Sequence, residues 1–163
     1  MRLTYALLVL CLLAGCAYRA VEDHTPLEPH GSDATGPPPE TRSDLLLRAL
    51  GMVGVPYRYG GRSPDTGFDC SGLVHYVFGE SGIELPRRAQ EMSRIGEPVR
   101  RHELSPGDLV FFDTLREPYS HVGIYLGNNR FIHAPSNGGR VEIVSMTHRY
   151  WLRRYNGARR IAH

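Results

Sequence analysis

The chain has 163 residues, enough for one domain with tails and a real hydrophobic core. Its formal net charge of +2 falls by one to +1 if Arg2 leaves with a signal peptide, a balance that argues against a nucleic-acid or polyanion binder. All 19 basic residues are arginine, a bias that also suits carboxylate recognition.

Residues 1–15 read as a lipoprotein signal peptide. Arg2 precedes an apolar run from Tyr5 to Leu13 that is too short to span a bilayer and ends in small residues. Leu13-Ala14-Gly15-Cys16 resembles the bacterial lipobox, after which Cys16 becomes the lipidated first residue of the mature chain. Ala17 in place of aspartate then implies the outer membrane, with the protein facing the periplasm. The simpler alternative is an ordinary secretory signal cut near Ala17. With Cys11 discarded and Cys16 acylated, Cys70 is the one free thiol left, so no intramolecular disulfide is expected.

Residues 16–40 carry the lipidated cysteine and a linker rich in Pro, Gly, Asp and Glu, with no periodicity. As a coil, Ala17 to Glu40 would span roughly 25–30 Å. His24 and His30 lie in this linker as solvated bystanders.

The folded domain is expected over 41–163. Thr41 or Ser43 can cap a helix with Leu45, Leu46, Ala49, Leu50 and Val53 on one side and Gly54 at its end. Val55-Pro56-Tyr57-Arg58-Tyr59-Gly60-Gly61 follows as a loop. Gly67 and Asp69 then announce a second helix whose apolar face is Leu73, Val74, Val77 and Phe78, with Gly79 or Gly82 as its stop. Cys70 stands at its N-terminus, where the helix dipole favours thiolate, the nucleophilic form. A lone cysteine there also reads as a small buried hydrophobe. A third helix is expected from Arg88 to Ile95, with Arg87 and Arg88 as a solvated face.

From Ser105 the pattern becomes β. Pro106-Gly107 turns into Asp108–Phe112, followed by strands at Ser120–Leu126, Arg130–His133, Val141–Val144 and Tyr155–Ile161. Helices followed by sequential short strands make an α+β fold with an antiparallel sheet of about five strands. In the hairpin, alternation puts His121, Gly123 and Tyr125 on one face and Val122, Ile124 and Leu126 on the other. A two-residue loop would send His121 and His133 to opposite faces. A three-residue loop, Gly127 to Asn129, pairs Tyr125 with Phe131 and Leu126 with Arg130. It also sets the two histidines diagonally on one face, with Gly123 opposite His133 leaving room for an imidazole. A nucleophile, a base and an orienting group are the ingredients of covalent acyl transfer. His75, His102, His148 and His163 have no comparable setting.

Gly67 to Val74, Pro106 to Phe112, Ser120 to Gly127, Phe131 to Pro135 and the Tyr57 loop together resemble the NlpC/P60 family of papain-like cysteine peptidases. The resemblance implies N-terminal helices packed on an antiparallel sheet, with Cys70 as nucleophile, His121 as general base and His133 as the orienting third residue. Tyr57 matches a family tyrosine beside the nucleophile, a contact for oxyanion or substrate. With the lipobox, the chain is similar to small Gram-negative lipoproteins that hydrolyse peptidoglycan stem peptides or cross-links. Two departures stand out: Arg88 replaces a small hydroxyl residue after Leu-Pro-Arg, and no wall-binding repeat accompanies the domain. The expected partners are peptidoglycan and, through the anchor, the membrane, for a monomer with no cofactor and no nucleic acid. Arg58 and Arg62, near the Tyr57 loop, are candidate contacts for stem-peptide carboxylates. Two rivals remain on sequence alone. One is a non-catalytic peptidoglycan-binding lipoprotein of the same fold, and the other is a zinc site built from cysteine and two histidines.

Overall fold

The computed structural model describes residues 41–161, so the signal segment, Cys16 and the whole linker lie outside the described residues. Helix α1 (Arg42–Gly51) starts where the sequence invites it: the Thr41 hydroxyl accepts the Asp44 N–H at 3.3 Å, and the Asp44 carboxylate accepts the Thr41 N–H at 2.9 Å. Two orphan donors are satisfied reciprocally. Its buried stripe is narrower than the sequence suggested. Leu45 and Ala49 are buried, whereas Leu50, within the helix, and Val53, beyond its end, are exposed.

A small antiparallel ladder, β1 (Arg62–Ser63) with β2 (Gly67–Phe68), leads into α2 (Cys70–Gly79). The third helix is a single turn, α3 (Ala89–Met92), rather than the longer segment expected. Then follow β3 (Glu97–Val99), a 3-10 turn (Arg101–Glu103), β4 (Leu109–Phe112), β5 (His121–Gly127), β6 (Arg130–His133), β7 (Glu142–Ser145), the one-turn α4 (Arg149–Leu152) and β8 (Tyr155–Arg160). The main sheet has six strands in the order β3-β8-β4-β5-β6-β7, each pair antiparallel. The additional edge strand is β3, whose Pro98 leaves it no alternating signature.

Both sheet faces are covered. Leu109, Phe111, Val122, Ile124 and Ile132 pack against Leu45, Ala49, Leu73, Val77 and Phe78 of α1 and α2. Val110, Phe112, Tyr125, Phe131 and Ala158 form a second cluster with Met146, Trp151 and Tyr155. Burial of both faces explains why β4 reads as the unbroken apolar run Leu-Val-Phe-Phe.

The β5–β6 hairpin has the expected register by a different device. Ile124 pairs with Ile132 and Tyr125 with Phe131, but Gly127, rather than Leu126, stands opposite Arg130. The turn is only Asn128-Asn129, both at positive φ (51° and 55°), a conformation asparagine tolerates and one that suits the twist of a hairpin. A bulge between Tyr125 and Gly127 supplies the odd residue, and Gly127 takes the positive φ of 91° there. Two turn residues and one bulged residue therefore do what a three-residue loop was expected to do.

Candidate active site

The site is assembled at the junction of α2 with the start of β5. Asp69 caps α2: its Oδ1 accepts the Gly72 N–H at 2.7 Å, and its Oδ2 accepts the Gly60 N–H at 3.0 Å. Arg87 grips the same carboxylate with two nitrogens, donating to Oδ1 at 2.9 Å and Oδ2 at 2.7 Å. It also donates to Ser71 Oγ at 2.8 Å and to the Gly61 carbonyl at 3.3 Å. Arg87 is thus no solvated residue. Its fork ties the Tyr57 loop to the first turn of α2 and fixes the backbone on which Cys70 stands. The sequence hid this because an arginine pair after Leu-Pro looks like surface, and its partner lies 18 residues upstream. Gly72 completes the clamp, since a Cβ there would sit 2.0 Å from the Gly61 carbonyl oxygen.

His121 and His133 stand side by side on the sheet face shared with Phe112, Phe131 and Trp151. His121 Nε2 and His133 Nδ1 are 2.9 Å apart, a hydrogen bond buried from water. The rings are 3% and 0% exposed, and their planes cross at 77°. Gly123 contributes in a way the sequence reading did not foresee. A Cβ on it would meet the Phe131 ring and the Ile132 carbonyl at 2.6 Å, so it makes room for Phe131 rather than for an imidazole. Trp151 closes the site by stacking on His121 at 5.5 Å and meeting His133 edge-on at 4.8 Å.

Burial sets the protonation states. It pushes His121 down to about 4 and His133 down to about 3, with His121 adding repulsion on His133, so both rings are neutral near pH 7. Cys70 was expected to be depressed by the helix dipole. Desolvation instead pushes it up, against the pull of the Val122 and Ser71 N–H groups, while the Asp69 charge adds to the rise. Burial therefore favours the neutral thiol and the neutral imidazole over their charged forms.

Cys70, Tyr57, Tyr59, Ser71, Ser120 and His121 line one cleft of about 120 Å³. A second cleft of about 320 Å³ lies beside it, lined by His121, His133, Glu142, His148, Tyr150 and Trp151. His121, Thr114 and Ser136 border both, so His121 sits where the cleft that holds Cys70 meets the cleft that holds His133. Tyr57 is half-buried next to Cys70, and its hydroxyl is pushed up by desolvation first and by the Cys70 charge second. Arg58 and Arg62 are exposed and line neither cleft. His148 and Trp151 are the residues the sequence reading missed. His148 caps α4 and borders the second cleft, and only the folding of α4 back over the sheet brings it there. Among the described residues no group of three or more His, Cys, Asp or Glu side chains is placed to hold a metal ion. The two histidines instead spend one ring nitrogen each on the other.

Known proteins share this arrangement of chain. Over 120 residues, 71% of this chain, it is 48% identical to the murein DD-endopeptidase MepH of Escherichia coli (strain K12). Over 123 residues, 75% of this chain, it is 50% identical to the murein DD-endopeptidase MepS/murein LD-carboxypeptidase of the same strain. The chain spans 44% of the length of the first and 64% of the second. In three dimensions it matches a crystal structure of an NlpC/P60 family protein from Bacillus cereus with a TM-score of 0.71 and 35% identity, covering 76% of this chain and 41% of that one. The NlpC/P60 family profile matches residues 54–160, which takes in the Tyr57 loop, the Cys70 helix, both histidines and the whole sheet, and the chain belongs to that family.

Proposed function

We propose that the chain is a cysteine endopeptidase that hydrolyses peptide bonds in peptidoglycan stem peptides or cross-links. The observation that carries this reading is the buried His121–His133 hydrogen bond beside the cleft that holds Cys70. His121 has committed Nε2 to His133, which leaves Nδ1 to exchange a proton with the thiol. In the proposed reaction His121 Nδ1 takes the Cys70 proton as Sγ attacks the scissile carbonyl carbon. The oxyanion accepts hydrogen bonds from the Cys70 N–H and the Tyr57 hydroxyl. Collapse passes the proton from His121 to the leaving amine and leaves a thioester on Cys70. His121 then deprotonates a water that attacks the thioester, releasing the new carboxylic acid and restoring the thiol. Peptidoglycan is supported as substrate by the likeness to two murein endopeptidases.

The lipid anchor at Cys16 and an outer-membrane position facing the periplasm are further parts of the proposal, supported by the lipobox in the sequence. The test separates the histidines by role. His121→Gln removes the base and should cost ~10²–10⁴-fold in kcat on one muropeptide. His133→Gln keeps a carbonyl to accept the His121 N–H and should retain measurable turnover. His133→Ala leaves the ring unheld and should be much slower. If His121→Gln outperforms His133→Gln in folded proteins, the roles are reversed.

A further inference from the structure

The hydrogen bond between the histidines poses a question of tautomer. One proton lies between His121 Nε2 and His133 Nδ1, and either ring can own it. If His121 owns it, His121 Nδ1 is bare and free to act as a base, and the proton of neutral His133 must sit on Nε2. If His133 Nδ1 owns it, His121 Nδ1 carries the other proton and cannot accept one from the thiol. Only the first arrangement works, and it requires an N–H at His133 Nε2.

That nitrogen is buried in a fully enclosed ring and has no hydrogen-bond partner among the described residues. Leaving a buried N–H unpaired costs about 1–3 kcal/mol, so without help the fold would favour the unproductive tautomer. Help stands close by. Glu142 lies directly across the β6–β7 ladder from His133, so the two side chains rise from one sheet face, and Glu142 Oε1 is 3.6 Å from His133 Nε2. A shift of roughly 0.5 Å brings that pair within hydrogen-bond range. The Glu142 side chain is 53% exposed at the border of the second cleft and has the freedom to make it. A carboxylate can only accept here, so it attracts an N–H at Nε2 and repels a lone pair.

We infer that Glu142 is a positioning residue, a fourth member of the line Cys70–His121–His133–Glu142, which selects the His133 tautomer that makes His121 a base. The inference rests on the Cys-His-His reading above. It has a readout of its own in the ring nitrogens of the resting protein. Long-range ¹H–¹⁵N spectra of the whole chain should show His133 protonated on Nε2 and bare on Nδ1, and Glu142→Gln, which keeps an acceptor, should show the same. Glu142→Leu should give mixed tautomers and lower kcat about 10-fold, the equivalent of one lost hydrogen bond, with KM unchanged. Glu142→Gln should stay within about 3-fold of the parent kcat. A parent spectrum with the proton on His133 Nδ1 would overturn the inference. So would an unchanged tautomer and kcat in Glu142→Leu, or an equal loss in both variants. A parent protein that cleaves no muropeptide defeats the peptidase reading instead, and the ring spectra still decide whether Glu142 sets the tautomer.

Discussion

Acid should destabilise this fold early, and the two buried histidines fix how early. In the unfolded chain each titrates near its ordinary value of about 6.5. In the fold His121 is held down at about 4 and His133 at about 3, because neither ring has water around it. Between these limits the unfolded chain binds more protons than the native one, so stability is fully present above pH 6.5 and is lost as pH falls. From pH 7 to pH 5 each histidine removes about 2 kcal/mol, together roughly 4 kcal/mol, a large share of a domain's usual stability. Urea titrations followed by far-UV circular dichroism at the two pH values measure this loss directly. The double variant His121→Gln, His133→Gln should show a much flatter dependence over the same interval. A parent protein that loses under about 1 kcal/mol would refute the reasoning, since its histidines would then have to be solvated or already paired when charged.

Arg87→Leu leaves the Asp69 carboxylate, only 15% exposed, without its fork and should lower stability by about 1–3 kcal/mol in urea unfolding. Activity should fall further than stability, because the same fork holds the first turn of α2; an unchanged kcat would separate Arg87 from the site. Because burial raises the Cys70 thiol, alkylation by iodoacetamide at pH 7 should be no faster than that of glutathione and should climb with pH beyond the ordinary thiol range. Rapid, pH-independent labelling would instead reveal a standing thiolate–imidazolium pair. Cys16→Ser should move the protein from the membrane to the soluble fraction while leaving muropeptide turnover intact, since acylation supplies membrane affinity. Membrane retention of that variant would point to another anchor.

The fold was legible where local rules decide it. Thr41 as a helix cap, Asp69 before the Leu73–Phe78 stripe, and the alternation in β5 all mean in the structure what they mean in the sequence. The register of the histidines was also legible, because a one-residue slip would have moved Val122 and Ile124 out of the core. What stayed hidden depends on distant segments. The single turn of α3 and the edge strand β3 are too short for periodicity to mark. Arg87 meets Asp69, Trp151 roofs His121, and Glu142 faces His133, and in each case the meaning of a residue comes from a partner another element delivers. The direction of the Cys70 shift was misread for the same reason. A helix N-terminus can be inferred from sequence, whereas the desolvation that raises the Cys70 thiol appears only when β5 is packed against α2.

The central claim is that Cys70 cuts stem peptides, and mass spectrometry of a purified cross-linked muropeptide after incubation with the protein tests it most directly. The parent protein should convert it to two fragments whose masses sum to the substrate plus one water. Cys70→Ser, with an unchanged circular dichroism spectrum, should leave the substrate whole, because a serine hydroxyl is a far poorer nucleophile than a thiol beside a neutral imidazole. Equal cleavage by Cys70→Ser, or an intact substrate with a parent protein whose Cys70 is shown to be reduced, would contradict the account.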